Sequence, residues 1–366
     1  MKFNIAVLPG DGIGPDVLTE GVKVLEAVGR RFGHSFKTTH ALIGGVAIAE
    51  EGTALSEATV KMCRKQDAVM FGAVGDPRYD DPMAPIHPED GLLRLRQALK
   101  TFANLRPVKL YPELIGATPL KENIVKGTDF VVVRELTGGL YFGKPKKQWK
   151  TADGTRKGVD TMIYSEQEVD RIVRVGFELA RKRRKKLTSV DKANVLMSSR
   201  LWRQVTNEVA KDYPDVALDH MLVDTCSMRF IQNPTYFDVI VTENTFGDIL
   251  TDEASTLTGS MGMMPSASIG GIPAAGKRIN GFYEPIHGSA PKHAGKNEAN
   301  PIATILSVAM LFRYSLSLEN EAVAIEKAVE ATIKEGYRTY DIMSAGMKKL
   351  GTREMGDVIA KKVEGK

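Results

Sequence analysis

Short runs of aliphatic and β-branched residues recur along this 366-residue chain. Most are followed by glycine or a polar turn and then by apolar residues at helical spacing. Ile5 to Leu8, Ala68 to Phe71, Phe130 to Val133, Leu187 to Val190 and Val239 to Thr242 are predicted strands. The first precedes GPDVLTEGVKVLEAVGRRFG and the fourth precedes SSRLWRQVTNEVAKDY, both patterned as amphipathic helices. This alternation predicts an α/β protein with substantial parallel or mixed sheet, in which ligands gather beyond the strand C-termini. Residues 143–164 are polar, glycine-containing and lysine-rich, and are expected to form a protruding arm. The glycine-rich stretch SASIGGIPAAGKRING separates FGDILTDEAS from YEPIHGSAPKHAGKNEAN.

The length exceeds what one hydrophobic core usually supports, so two domains are expected. With 43% hydrophobic and 26% charged residues the composition is that of a folded protein and excludes a disordered one. No run is long enough to span a membrane, and the apolar opening of MKFNIAVLPGDG is too short for a signal-peptide core. A cytoplasmic protein is expected. Cys63 and Cys226 give neither a disulfide framework nor paired metal spacing, and are expected to be buried and inert. The net charge of +5 is small for this length. The basic run Arg181 to Lys186 follows a helical stretch, so it reads as a solvated helix C-terminus rather than a nucleic-acid patch.

Three clusters carry candidate chemistry. Asp248 and Asp252 stand four residues apart, which on a helix puts both carboxylates on one face. They suit a hard divalent cation; the ordinary alternative is an acidic first helical turn with Asp248 near the cap. Arg96, Arg106 and Arg134 offer planar donors for a substrate with two carboxylates, although Arg94 and Arg96 can also be read as covering an exposed helix face. Tyr141, in the glycine-flanked LTGGLYFG, and Lys192, beyond a strand in SVDKANV, form an acid–base pair of candidates. The bland readings are a half-buried aromatic for Tyr141 and a salt bridge to Asp191 for Lys192. Asp224, in LVDTCSM, supplies a third carboxylate.

In this order DGIGPD, NLRP, RELTGGLYFG, SVDKANV, FGDILTDEAS and EPIHGSAP span most of the chain. They resemble the motifs of the β-decarboxylating 2-hydroxyacid dehydrogenases, the isocitrate/isopropylmalate dehydrogenase family. The resemblance implies that family's doubly wound sheet in two domains, not a GxGxxG Rossmann fold. Gly10, Gly12 and Gly14 indeed have the wrong spacing for the dinucleotide fingerprint and run straight into Pro15. Residues 1–101 plus 256–366 would form a cofactor-side domain, and residues 102–255 a substrate, metal and dimer-interface domain. An obligate homodimer with shared active sites follows, with no nucleic-acid or membrane partner.

The resemblance also implies roles. Arg96, Arg106 and Arg134 would hold two carboxylates, and Leu92 with Leu93 would wall an isopropyl group, as in the isopropylmalate branch. Asp248 and Asp252 would hold Mg²⁺ or Mn²⁺ beside substrate, with Asp224 reaching across the dimer. Lys192, also in trans, would accept the hydroxyl proton, and Tyr141 would deliver one after decarboxylation. Glu89 would face the nicotinamide ribose, and Gly75, His287, Gly288, Ser289, Ala290, Lys292, His293 and Asn300 would line the remaining cofactor site. NAD is the expected cofactor. Lys292 stands where NAD-using members carry aspartate, so NADP is the alternative. Isocitrate, homoisocitrate and tartrate dehydrogenases are the nearest other readings. A non-catalytic nucleotide-binding scaffold belongs to a different class, as does a phosphoryl-transfer enzyme, for which the chain lacks a GxxxxGK[ST] loop.

Overall fold

A computed structural model describes every residue except Ala275, within the glycine-rich stretch, and Lys366. Twelve strands concern the argument: β1 (Lys2–Gly10), β2 (Ser35–His40), β3 (Ala68–Ala73), β4 (Ala103–Lys109), β5 (Asp129–Glu135), β6 (Lys147–Lys150), β7 (Arg156–Val159), β8 (Lys186–Asp191), β9 (Ala217–Leu222), β10 (Val239–Thr242), β11 (Pro265–Ile269) and β12 (Gly281–Pro285). Ten of them join in one sheet, ordered β2-β1-β3-β12-β11-β4-β5-β10-β8-β9. The five strands expected from aliphatic runs are all present. The sheet is mixed: β11 is antiparallel to β12 and to β4, and β4 is antiparallel to β5, whereas the outer pairs are parallel.

The aliphatic strands are buried because helices cover them. Every residue of β3 and β10 is buried, and the helices Gly14–Phe32, Glu166–Arg181 and Ile302–Met310 each turn apolar residues inward. Helix 166–181 starts on a capping box in which Ser165 and Glu168 satisfy each other's backbone amides. Helix 14–32 has proline in its first turn and ends at Gly33, whose φ of 70° suits glycine.

The arm is a separate antiparallel hairpin of β6 and β7 with nearly every residue exposed. The basic run is more than a solvated helix end. Arg183 pairs with Asp129 and with buried Asp238, and Arg184 donates to the Phe237 carbonyl, so these cations tie the helix to β5 and to the start of β10. Cys63 and Cys226 are free and buried; burial pushes the Cys63 thiol up to about 12, where it is unreactive. Among the described residues no helix is long and apolar enough to cross a membrane.

Candidate active site

The cleft is built where strands of opposite direction meet. β5 brings its last residues and its antiparallel neighbour β4 its first residues to the cleft, and the last residues of β3 and β12, strands that run opposite to β5, line it as well. Strand alternation puts Asn104 and Arg106 on one face of β4, with Arg134 opposite Asn104 on β5. Helix Pro88–Ala98 presents Leu92, Leu93 and Arg96, and helix Asn244–Ser255 presents Asp248 and Asp252. These groups, with Glu89, Tyr141, Lys146, Glu284, His287 and Gly288, line a cavity of about 610 Å³.

The three arginines are fixed from behind. Arg106 donates through Nε to Asn104 Oδ1 at 2.7 Å and through Nη1 to Thr251 Oγ1 at 2.5 Å. Asn104 is itself held by the buried hydroxyls of Ser266 and Ser268 on β11. Arg134 donates through Nε and Nη2 to Asn244 Oδ1, and Asn244 is braced by the Gly138 carbonyl. Arg96 pairs with Glu284 at 2.6 Å. All three are buried, so the reading of Arg96 as cover for an exposed face is overturned; Arg94 takes that part, pairing with Glu57. Burial pushes Arg106 down to about 10, and the nearby Arg134 charge adds to this. Such crowding is favourable only with anions present.

Asp248 meets the clamp directly. Its Oδ1 accepts from Arg134 Nη1 at 2.5 Å and lies 3.7 Å from Arg106 Nη2, while Oδ2 accepts from Tyr141 Oη at 2.9 Å. Burial alone would raise the Asp248 carboxyl, yet Arg134 and Arg106 hold it below its ordinary value. Burial does raise Asp252, although Arg106 offsets part of the effect. The acidic-cap reading is not what the fold uses: helix 244–255 is capped by the Glu243 carboxylate, which accepts from Thr245 and Phe246 amides, and Asp248 stands in its second turn. Tyr141 is half-buried, and burial followed by the Asp248 charge pushes its phenol up to about 12.

Lys192 and Asp224 lie elsewhere. They pair with each other at 2.5 Å, outside the cavity lining, and Asp191 is taken instead by Arg203. The described residues of one chain bring no three acidic, histidine or cysteine side chains into a metal-holding group. Asp248 and Asp252 nonetheless give two hard oxygen ligands on one helix face, a donor set fitting a divalent cation completed from outside the chain. Close to Lys192 and Asp224 in the chain, the apolar side chains of Val195, Met197, Met228 and Ile231 are exposed, as is Ile249 beside Asp248.

Of the expected cofactor residues, His287, Ala290, His293 and Asn300 line a second, smaller cavity of about 130 Å³, Glu89 and Gly288 line the large one, and Gly75 and Ser289 line neither. His287 borders both cavities. Its Nδ1 lies 3.0 Å from the Gly288 carbonyl and its Nε2 is buried with no partner among the described residues, while burial lowers its pKa, so a neutral ring offers an open acceptor. An orphaned acceptor between two cavities fits a ligand spanning both, as a dinucleotide does. Gly75 donates its amide to Asp11, and a Cβ there would press on Ser289 Oγ at 2.8 Å. Lys292 is exposed, borders neither cavity and has no ion pair among the described residues.

Sequence reasoning missed five groups. Glu284 stood inside EPIHGSAP but was not singled out, and Lys146 was absorbed into the arm. Asn244, Asn104 and Tyr340, whose ring stacks on His293 at 5.4 Å, gave no signal that one sequence can display.

A mixed sheet whose cleft sets three buried arginines beside an acidic pair, next to a second cavity, has the charge arrangement suited to a dehydrogenase of anionic substrates. The family model for isocitrate/isopropylmalate dehydrogenase matches residues 4–359. The chain is 64% identical over 365 residues to 3-isopropylmalate dehydrogenase of Dehalococcoides mccartyi strain CBDB1, covering 100% of both chains. It is 55% identical to the enzyme of the same name from Carboxydothermus hydrogenoformans, covering 99% of this chain and 95% of that one. Among solved structures, isocitrate dehydrogenase from Methylococcus capsulatus superposes with a TM-score of 0.85 at 33% identity, covering 99% of each chain. The chain belongs to the isocitrate/isopropylmalate dehydrogenase family.

Proposed function

We propose that the protein oxidises (2R,3S)-3-isopropylmalate and decarboxylates it to 4-methyl-2-oxopentanoate, with reduction of NAD⁺, in leucine biosynthesis. The observation that carries this reading is the pairing, inside one cavity, of the arginine clamp with the apolar side chains of Leu92 and Leu93. Arginines recognise two carboxylates, and leucines accept a branched alkyl group where an isocitrate enzyme would need a polar partner for a third carboxylate. The relatives named 3-isopropylmalate dehydrogenase support it.

Asp248 and Asp252, with Asp224 of a second copy, would hold Mg²⁺ or Mn²⁺; Glu89, His287, Gly288, Ser289, Ala290, His293 and Asn300 would hold the dinucleotide, with Gly75 behind Ser289. When bound, the nicotinamide supplies a hydride acceptor for C2 and the cation supplies Lewis-acid polarisation of the substrate oxygens. Arg96, Arg106 and Arg134 orient the carboxylates. Lys192 of the second copy takes the hydroxyl proton. Loss of CO₂ leaves its electron pair on the enolate, and Tyr141, a phenol protonated at neutral pH, returns a proton to C3.

The exposed apolar side chains close to Lys192 and Asp224 in the chain support a homodimer with shared sites, and the division into residues 1–101 plus 256–366 and 102–255 puts the sheet's β11–β4 contact at the domain junction. NAD is the favoured cofactor; Lys292 keeps NADP as the second reading, because a lysine there can pair with a 2′-phosphate. Initial rates with NAD⁺ and NADP⁺ on isopropylmalate, isocitrate, homoisocitrate and tartrate test the whole assignment.

A further inference from the structure

Two of the clamp arginines face Asp248, but the third is held by a different acid. Arg96 Nη2 meets Glu284 Oε1 at 2.6 Å, and each side chain is only 7% exposed. The partners come from separate parts of the fold: Arg96 from the last turn of helix 88–98, Glu284 from β12, paired there with Ser266 of β11. Ser307 donates to the Glu284 carbonyl and so fixes the backbone that carries the carboxylate. Arg96 Nε is buried and has no acceptor among the described residues, and both residues line the large cavity. A guanidinium gripped through one nitrogen, with an unsatisfied donor in a cavity wall, is oriented toward a ligand without being consumed by its partner.

We propose that Glu284 is a positioning residue: it orients Arg96 so that the free donors of the guanidinium meet a substrate carboxylate. The inference rests on the dicarboxylate reading of this cavity. The same helix also lines the cavity with Leu92 and Leu93, which offer no acceptor, and with Glu89, which stands seven residues from Arg96 and forms no ion pair with it among the described residues, so Glu284 is the acid that holds Arg96. Without that acceptor a long, flexible side chain must be ordered by the substrate itself, which weakens binding. Ala290, His293 and Asn300, in the smaller cavity, have no hydrogen bond or ion pair to Glu284 among the described residues.

The test is a double-mutant cycle on KM. Glu284→Ala should raise KM for isopropylmalate about tenfold or more while KM for the cofactor stays within about twofold, since a charge-assisted contact of this kind accounts for such a factor. Glu284→Gln, which keeps size and one acceptor oxygen, should lie between Glu284→Ala and wild type, and it remains informative if the alanine variant does not fold. On an Arg96→Ala background, Glu284→Ala should add nothing further to the substrate KM. The proposal is overturned if the two substitutions multiply, or if Glu284→Gln alters substrate and cofactor KM equally. A wild-type enzyme that turns over no isopropylmalate would instead defeat the substrate assignment, a result distinct from either.

Discussion

Tyr141 donates its phenolic hydrogen to the same Asp248 carboxylate that Arg134 grips through its other oxygen. The tyrosine is thereby aimed at the clamp and kept protonated. Tyr141→Phe preserves the ring and removes the proton donor, so turnover should fall on the order of 10²-fold or more with a small change in substrate KM. Product analysis checks this: cofactor reduction should outlive release of 4-methyl-2-oxopentanoate. Near-normal release of the oxo acid would make Tyr141 structural.

Lys192 lies away from the cavity of its own chain, beside Asp224. Lys192→Ala and Tyr141→Phe homodimers should each be nearly inactive. Mixed dimers should regain activity, because one of their two sites then combines an intact Tyr141 with an intact Lys192 from the other chain. If mixing restores nothing while mixed dimers demonstrably form, Lys192 does not act across the interface.

Asp248 and Asp252 crowd two carboxylates against one cavity without a third acidic, histidine or cysteine ligand among the described residues of the same chain. Excess chelator should abolish turnover, and Mg²⁺ or Mn²⁺ should restore it. Asp252→Asn should raise the metal concentration needed for half-maximal rate while leaving thermal stability close to wild type, since Asp252 is exposed. Full activity in chelator would remove the metal from the account.

His220, on edge strand β9, offers a pH-dependent stability test. Burial, and then the nearby Arg203 charge, lower its pKa below 6.5; its Nε2 lies 2.8 Å from Asn207 Oδ1 and its Nδ1 is buried without a partner among the described residues. A histidine depressed in the folded state stabilises the fold above its unfolded value near 6.5, and that contribution is lost as the pH falls through the folded pKa. The melting temperature of wild type should therefore drop more between pH 7.5 and pH 5.5 than that of His220→Gln. Equal drops would show that His220 titrates as it does in the unfolded chain.

Much of this arrangement was legible in the sequence, and the gaps have physical causes. The five strands read correctly are aliphatic runs buried on both faces. β4 and β11 escaped because they form the floor beneath the clamp: β4 carries Asn104, Arg106 and Pro107, and β11 carries Ser266 and Ser268, whose hydroxyls hold Asn104. Edge strands β2 and β9 are half-exposed, β2 being largely polar and β9 having Asp219 and His220 set between its apolar residues, so neither shows a continuous aliphatic run. Arg96, Arg106, Arg134, Tyr141 and Asp248 converge as expected because their motifs name them. Glu284, Asn104 and Asn244 went unread, since a residue that orients another is recognised only once both are seen together in space.

The central claim is that this cavity selects a branched alkyl dicarboxylate, and initial-rate measurements with divalent cation present test it most directly. Wild type should show its highest kcat/KM for isopropylmalate among isopropylmalate, isocitrate, homoisocitrate and tartrate, with 4-methyl-2-oxopentanoate as product. Leu92→Ser should lower that value about 10- to 200-fold, the range expected when apolar contact with an alkyl group is lost. A wild-type preference for isocitrate, or a Leu92→Ser enzyme as fast on isopropylmalate as wild type, would contradict it.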